Sequence, residues 1–362
     1  MDRDDKLLFD DWLWDMPQAQ LDALEFSQLA SAAAEDGVDF PQISATTAIA
    51  EDGVDPVALL AMGVGVDESR QSSWGGLLRA HLKQRRYTVA VREAGDGVLH
   101  LMGSVPFTER PWERVDSSWL PRAHPQLAGV ILNRDDFEAL GDLLAELGEV
   151  HVNRMTARVL RDGSSYSRGW SVMQPGHREA LSEAANGMIV NSLSLSAGSS
   201  SIHLRRSAGA TFYKGDWPAF VRIVLGHLAA AADERRKMLS GLEREPAAPV
   251  VETLVMDLPP DVAAAPSTRE RILVAINDLR GARTAVLHAN PYLHVIATDH
   301  LDGSSFDILI TDDHRLTIVP GLRASTGSLA RMTDAVGLAL GMDALRLESV
   351  PEEIPAAEIF AV

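Results

Sequence analysis

At 362 residues the chain is long for one core and fits two or three domains, and its 46% apolar content supports packed interiors. It has no cysteine, which excludes disulfides, thiol nucleophiles and thiolate metal sites. The net charge of -18 is uneven: residues 1–69 hold 2 basic and 16 acidic side chains, net -14, whereas residues 151–240 hold 12 and 6, net +6.

Charge of both signs in one chain points to two different partners, or to the two regions meeting each other. The plain alternative is an acidic surface that keeps the protein in solution. The longest apolar run, residues 57–66, is interrupted by Gly63 and Gly65 and falls short of a bilayer span. The opening MDRDDK lacks the basic start and apolar core of a signal peptide. A soluble, cytoplasmic protein without a membrane partner is expected.

Residues 1–69 read as an acidic helical arm. The cluster LLFDDWLWDM is followed by Pro17, suited to a first helical turn, and by Leu21, Leu24, Phe26 and Leu29 near helical spacing. AEDGVD occurs at 34–39 and again at 50–55, each time placing a glycine where a helix can end. Asp55-Pro56 before VALLAM is a helix start. A calcium loop would need alternating oxygen ligands and a terminal Glu, which these segments lack. The arm either packs on the body or docks into a partner's groove, and its charge suits it to cover the basic region.

A first sheet-and-helix module spans 70–149. WGGLLRAHLKQ reads as a helix, RYTVAVRE and VLHLMG as strands about Gly95-Asp96-Gly97, and AGVILN as another strand. Asp135 or Asp136 caps FEALGDLLAEL. The intervening loop carries Trp112 and Trp119. A basic middle module spans 150–242 and opens on a hairpin about Asp162-Gly163. That pairing sets Met155, Ala157 and Val159 on one face with Tyr166 and Trp170, and Arg154, Thr156, Arg158 and Ser167 on the other. A helix in PGHREALSEAANG, three strands and a helix capped by Asp216 follow, echoing the first module and suggesting an internal repeat.

Residues 243–267 read as a Pro/Ala-rich linker with one short strand. Residues 268–345 form a C-terminal helix-meander-helix module whose turns are Asn290-Pro291, Asp302-Gly303 and Asp312-Asp313-His314. Burial favours a register in which Val295, Ala297, Phe306, Ile308, Ile310, Leu316 and Ile318 share a core face. In element order this module resembles the small acidic chaperone domains of type III secretion systems, which implies a fold and no chemistry. Residues 346–362 read as a mobile acidic tail. The fold class is therefore α+β: two or three related modules, each an antiparallel β-meander packed on α-helices, behind an acidic helical arm.

No phosphate-cradling GxxxxGK, dinucleotide GxGxxG, HExxH or GxSxG element occurs, so no cofactor and no catalytic residue is assigned and an enzyme is not the favoured reading. The remaining enzymatic candidate is a metal-dependent site in the C-terminal His/Asp cluster: His288, His294, Asp299, His300, Asp302, Asp307, Asp312, Asp313 and His314. These residues sit at meander turns, where polar side chains are expected in any case. In the basic module Arg154, Arg158, Arg168, Arg205, Arg206 and Lys214 form the candidate partner-binding set, because guanidinium forks suit carboxylate and phosphate groups. The sequence thus supports a non-catalytic regulatory, adaptor or chaperone-like protein that binds an anionic partner, another protein in the first instance. The alternative is a single-stranded nucleic-acid-binding protein, with the metal-dependent enzyme third.

Overall fold

The computed structural model describes residues 8–351 apart from 64–65, 83–84, 105–118, 124, 160–163, 185–186, 243–249, 260–261, 263–264, 290–291, 311–313, 322–323 and 341–344. The chain divides into two compact units, Met1–Arg236 and Lys237–Val362.

The first unit begins with short helices α1 (Phe9–Asp15), α2 (Gln18–Ala23) and α3 (Leu29–Glu35). There follow β1 (Ile43–Ala50), α4 (Pro56–Gly63), β2 (Val66–Ser72), β3 (Gly75–Leu82), β4 (Arg85–Gly95), β5 (Val98–Gly103), α5 (Leu120–Ala123), β6 (Leu127–Gly129) and α6 (Arg134–Leu144). The rest is β7 (Val150–Val159), β8 (Ser165–Gly169), α7 (His177–Ala184), β9 (Met188–Ala197), β10 (Ser200–Arg205), β11 (Gly209–Lys214) and a long helix α8 (residues 217–239) with π geometry over Phe220–Leu225. All its strands join one antiparallel eleven-stranded sheet in the order β2-β3-β4-β5-β1-β11-β10-β9-β7-β8, with β6 also on β1.

Cross-strand partners share a face, so the register allows a row of side chains to be followed across the sheet. Leu77, Ala90, Met102, Ala45, Ala210, Leu204, Leu193 and Met155 form one row, ending at Arg168. On the opposite face one row runs Leu78, Val89, Gly103, Ser44, Thr211, His203, Ser194, Arg154 and Gly169. The row beside it runs Val91, Leu101, Thr46, Gly209, Arg205, Ser192, Thr156 and Ser167. The first face is apolar to its last strand. The second changes at β1 from apolar to hydroxyl and cationic.

The apolar face is covered by helices and aromatic rings. Trp217 stacks on Phe220 and meets Phe26, Phe40 and Phe212, and its indole N–H donates to the Phe26 carbonyl at 2.9 Å. Helix α1 seats here too: buried Asp10 accepts from the Thr88 amide at 3.1 Å and from Ser104 Oγ at 2.6 Å, and Asp11 pairs with Arg79. Thr88 and Arg79 are cross-strand partners on the apolar-row face. The expectation that the acidic arm covers the basic surface is corrected for α1, whose Asp10 and Asp11 are engaged on β3 and β4 on the other side, while Asp52 pairs with Arg236 of α8 at 2.6 Å. The second face is closed over its β1–β5 half by α4, Trp119 and α5, where Leu60, Trp119, Leu120 and Leu127 meet Leu78, Val89, Val91 and Leu101.

Two expected elements differ. WGGLLRAHLKQ is strand β3, because both sheet faces are covered there and Leu77 and Leu78 are both fully buried, which erases the alternation of a one-sided strand. Gly76 faces the Arg70 carbonyl so closely that a Cβ would lie 2.4 Å from it, which suits paired strands rather than a helix. Residues 1–69, read as helical, also supply β1, whose eight residues are all buried between β5 and β11. The repeated AEDGVD segments behave as turns: Gly37 and Gly53 take φ of 72° and 77°, and Asp55 accepts from the amides of Val57 and Ala58 to start α4. The Asp162-Gly163 turn and Trp112 lie outside the described residues.

The second unit contains β12 (Val250–Asp257), α9 (Pro266–Asn277), β13 (Ala282–His288), β14 (Leu293–Asp299), β15 (Ser305–Ile310), β16 (Arg315–Pro320), α10 (Thr326–Leu340) and β17 (Arg346–Pro351). The six strands form an antiparallel sheet in the order β13-β14-β15-β16-β12-β17. Val295, Ala297, Phe306, Ile308, Ile310, Leu316 and Ile318 are all buried, on the register that pairs Ile310 with Leu316. Asp302 ties the β14–β15 turn to the start of α10, accepting from Ser304 N and from the hydroxyls of Ser304, Ser325 and Ser328. The presumed linker and tail are structural in part: β12 lies between β16 and β17, and residues 346–351 are β17. The remainder of the tail, 352–362, lies outside the described residues.

Two predictions follow from this packing. A fragment of residues 237–362 will melt cooperatively by circular dichroism, whereas 268–345, lacking β12 and β17, will not; a cooperative melt of the shorter piece would show β12 to be dispensable. His100 is fully buried, bonded through Nδ1 to Thr47 Oγ1 at 3.0 Å, and burial, reinforced by Arg92, pushes its pKa down to about 3. The unfolded chain protonates this imidazole below its ordinary value of 6.5 while the folded chain does not until about pH 3. Stability is therefore complete above about pH 6.5 and declines as pH falls through that window, with a limiting slope of about 1.4 kcal/mol per pH unit. His100→Gln will flatten this part of the curve, measured by urea unfolding at several pH values.

Candidate anion-binding face

The strands β7 to β11 read VHVNRMTARV, SYSRG, MIVNSLSLSA, SSIHLR and GATFYK, and contain no aspartate or glutamate in a chain with 51 acidic residues. On the second face they present Arg154, Thr156 and Arg158 from β7, Ser192 and Ser194 from β9, His203 and Arg205 from β10, and Thr211 from β11. A bulge between Val152 and Arg154 adds one residue to β7, so that His151 and Arg154 face the same way. The face grades from closed to open. Ser44 and Thr211 are buried beside β1, Arg205 and His203 are half-buried, and Arg154 and Arg158 are exposed.

Arg205, Arg154 and His203 are each held by hydrogen bonds. Arg205 lies flat over Gly209, where a Cβ would come within 2.6 Å of the guanidinium. There it donates to Thr211 Oγ1 at 3.0 Å and to the Ala45 carbonyl at 2.9 Å. A side chain at 209 would displace the guanidinium from this position. Arg154 donates from Nε and Nη2 to Ser167 Oγ at 3.2 and 3.1 Å. Between them, His203 Nδ1 is 2.9 Å from Ser194 Oγ. Burial, then the charges of Arg205 and Arg154, lower the His203 pKa to about 4. Arg154 and His203 are two strands apart in one row, about 10 Å, and His203 and Arg205 are alternate residues on one strand, about 6.6 Å apart.

The Ser194–His203 pair invites comparison with a nucleophile and its base. A catalytic imidazole needs a pKa near the working pH and a partner that orients its second nitrogen. Here two arginines depress the imidazole instead, so the arrangement suits accepting negative charge rather than removing a proton. Tyr213, 39% exposed near the far end of β11, has its phenol pKa raised by burial and eased back by the charge of Arg205.

Of the residues singled out from sequence, Arg154, Arg158 and Arg205 share this face. Arg168 is on the opposite face, stacked over Trp170 at 5.1 Å and paired with Glu183 of α7 at 2.7 Å. Arg206 is 5% exposed in the turn after β10, where its carbonyl accepts from Leu132 N and its amide donates to Asn191 O. It is therefore withdrawn from any exposed surface. Lys214 is exposed at the end of β11. His203, Ser194, Thr211 and Gly209 went unremarked in the sequence. The signal available for them was the alternation of hydroxyl and apolar residues in NSLSLS and SIHLRR.

In the second unit the His/Asp cluster is dispersed among structural tasks. His294 Nε2 is 2.8 Å from Asp307 Oδ1, while Asp299 and Asp302 receive Ser328. Among the described residues no group of three or more His, Asp or Glu gathers as a metal site. Asp312 and Asp313 lie outside the described residues. No helix is long and apolar enough to cross a membrane among those residues. No protein-family model matches the chain, and no curated protein matches it either.

The geometry makes a prediction that concerns the site alone. Replacing Arg154 and Arg205 with Gln removes two cations acting on His203, so its pKa will rise from about 4 part of the way to 6.5, with burial retaining the rest. An NMR titration of the His203 ring reads this directly. An unchanged value would place the guanidinium groups elsewhere in solution.

Proposed function

We propose that the chain is a non-catalytic binding protein, regulatory or adaptor-like, that holds an anionic partner on the hydroxyl- and arginine-bearing half of its large sheet. One observation carries the reading: Arg154, Arg158 and Arg205 share a face built from five strands that contain no aspartate or glutamate. Guanidinium groups on strands that bring no acidic side chain favour an incoming anion, and the surrounding Ser and Thr hydroxyls can turn to donate to it. The partner favoured is an acidic segment of another protein. Carboxylates four residues apart on an extended chain are separated by about 13 Å, the spacing of Arg154 and Arg158 on β7. Single-stranded nucleic acid is the second reading, favoured by Tyr213, which offers a half-exposed ring on the same face as Arg205 for stacking.

Fluorescence anisotropy with a labelled oligoglutamate and a labelled single-stranded oligonucleotide, at low and moderate salt, tests both. Binding will weaken with salt, and Arg154→Glu or Arg205→Glu will each reduce it by about tenfold or more, the loss of one charge-assisted hydrogen bond. Tyr213→Ala will affect the oligonucleotide only. Failure of both probes to bind the folded protein at low salt would dismiss this function.

A further inference from the structure

Strand β8 ends the large sheet: among the described residues it pairs with β7 and with no further strand. The backbone groups on its outer side are thus a template for another strand. The two sides of this edge differ in chemistry. On one, Ser165, Ser167 and Gly169 stand opposite Arg158, Thr156 and Arg154. Both donating nitrogens of Arg154 rest on Ser167 Oγ, which draws the guanidinium onto the edge strand. Gly169, directly opposite, adds no side chain to block it, and its nearest neighbour beyond the adjoining chain is the Asn153 carbonyl at 3.8 Å from a built Cβ.

On the other side, Tyr166, Arg168 and Trp170 follow one another at alternate positions. Arg168 lies over the Trp170 ring, and its charge is answered by Glu183. That side therefore presents aromatic surface with its one cation already satisfied. Beyond Trp170 the chain carries Val172 and Met173, 78% and 92% exposed, with Met173 at a φ of 53° that a non-glycine residue seldom adopts. Two large apolar side chains are displayed at the end of an open edge.

We propose that β8 is a docking edge for an extended peptide in which acidic and apolar residues alternate, an inference that rests on the anion-binding reading of the adjoining face. A strand added to β8 would point successive side chains to opposite faces. Its acidic residues would meet Arg154 and Arg158, its apolar residues Tyr166 and Trp170, and an apolar end would cover Val172 and Met173. A second copy of β8 is a poor occupant, because its SYSRG strand offers no carboxylate to Arg154 and Arg158 of either molecule. Arginine on an edge ordinarily guards against pairing. An acidic strand converts that guard into an attraction.

The experiment uses the full chain and a fluorescent synthetic peptide of alternating Glu and Val. Its counterparts are the same peptide N-methylated at alternate amides and a block peptide of the same composition. The alternating peptide will bind at least about tenfold more tightly than either, a difference of about 1.4 kcal/mol. Amide hydrogen exchange at Ser165–Gly169 will slow on binding. Met173→Asp will weaken the complex and Arg154→Glu will abolish it, each protein first shown to be folded. If all three peptides bind equally and β8 exchange is unchanged, or if only an oligonucleotide binds and leaves β8 exchange unchanged, the edge is not the docking strand although the anion-binding face stands. If no anionic probe binds, both readings fall.

Discussion

Everything in the first unit hangs on the pairing of β1. This strand is hydrogen-bonded to β5 along one side and to β11 and β6 along the other, and none of its eight residues is exposed. Without it the strands of residues 66–103 and those of 150–214 would be two separate sheets with open inner edges. Its composition suits the position: ISATTAIA is small and β-branched, so helices can approach one face while hydroxyls bond across the other, as Ser44 does to Thr211 at 3.2 Å. The change from apolar to polar on the second face happens on this strand. Ala48 belongs to the apolar cluster, while Ser44 already belongs to the hydroxyl network.

That change gives the cationic face its character. Near β1 the dielectric is low and the hydroxyls are buried, so Arg205 is held by two short bonds and over a glycine. Toward β8 water is close, and Arg154 has a single serine for company. An anion placed across the gradient would meet a fixed guanidinium at one end and an adaptable one at the other, with His203 between them kept neutral by burial and then by both arginines. Rigid and adaptable donors on one surface suit a partner recognised by charge spacing rather than by one enclosed pocket.

Fold class and the meander of the second unit were legible because the evidence for them is local. The strands β14, β15 and β16 alternate strictly, and one face is buried, so the period of two specifies their register. The same logic failed at β3, where cover on both faces removes the period, and at β1, whose burial depends on strands far away in sequence. The arginines of the middle module were visible as a charge excess, and the hairpin register sorted Arg154 and Arg158 onto one face. The fate of Arg206 was not visible: adjacent arginines in SIHLRR look equivalent until the turn that buries one of them is known. Nor could sequence show that Gly209 opposes Arg205, since that relation exists only across the β10–β11 pair.

The position of β1 also bears on how the protein is made. Its β5 partner is synthesised within some tens of residues, but β11 is not complete until residue 214, and Trp217, which donates to the Phe26 carbonyl, comes later still. During that interval a nascent chain carries an apolar strand with one long edge unsatisfied, the situation in which strands pair with the wrong neighbour. Closure of the sheet by β11 is a late, long-range step of the kind that slows folding through loop-closure entropy. The acidic N-terminal helices, docked on β3 and β4, would be available from the start, and their charge would keep neighbouring nascent chains apart until the missing strand emerges.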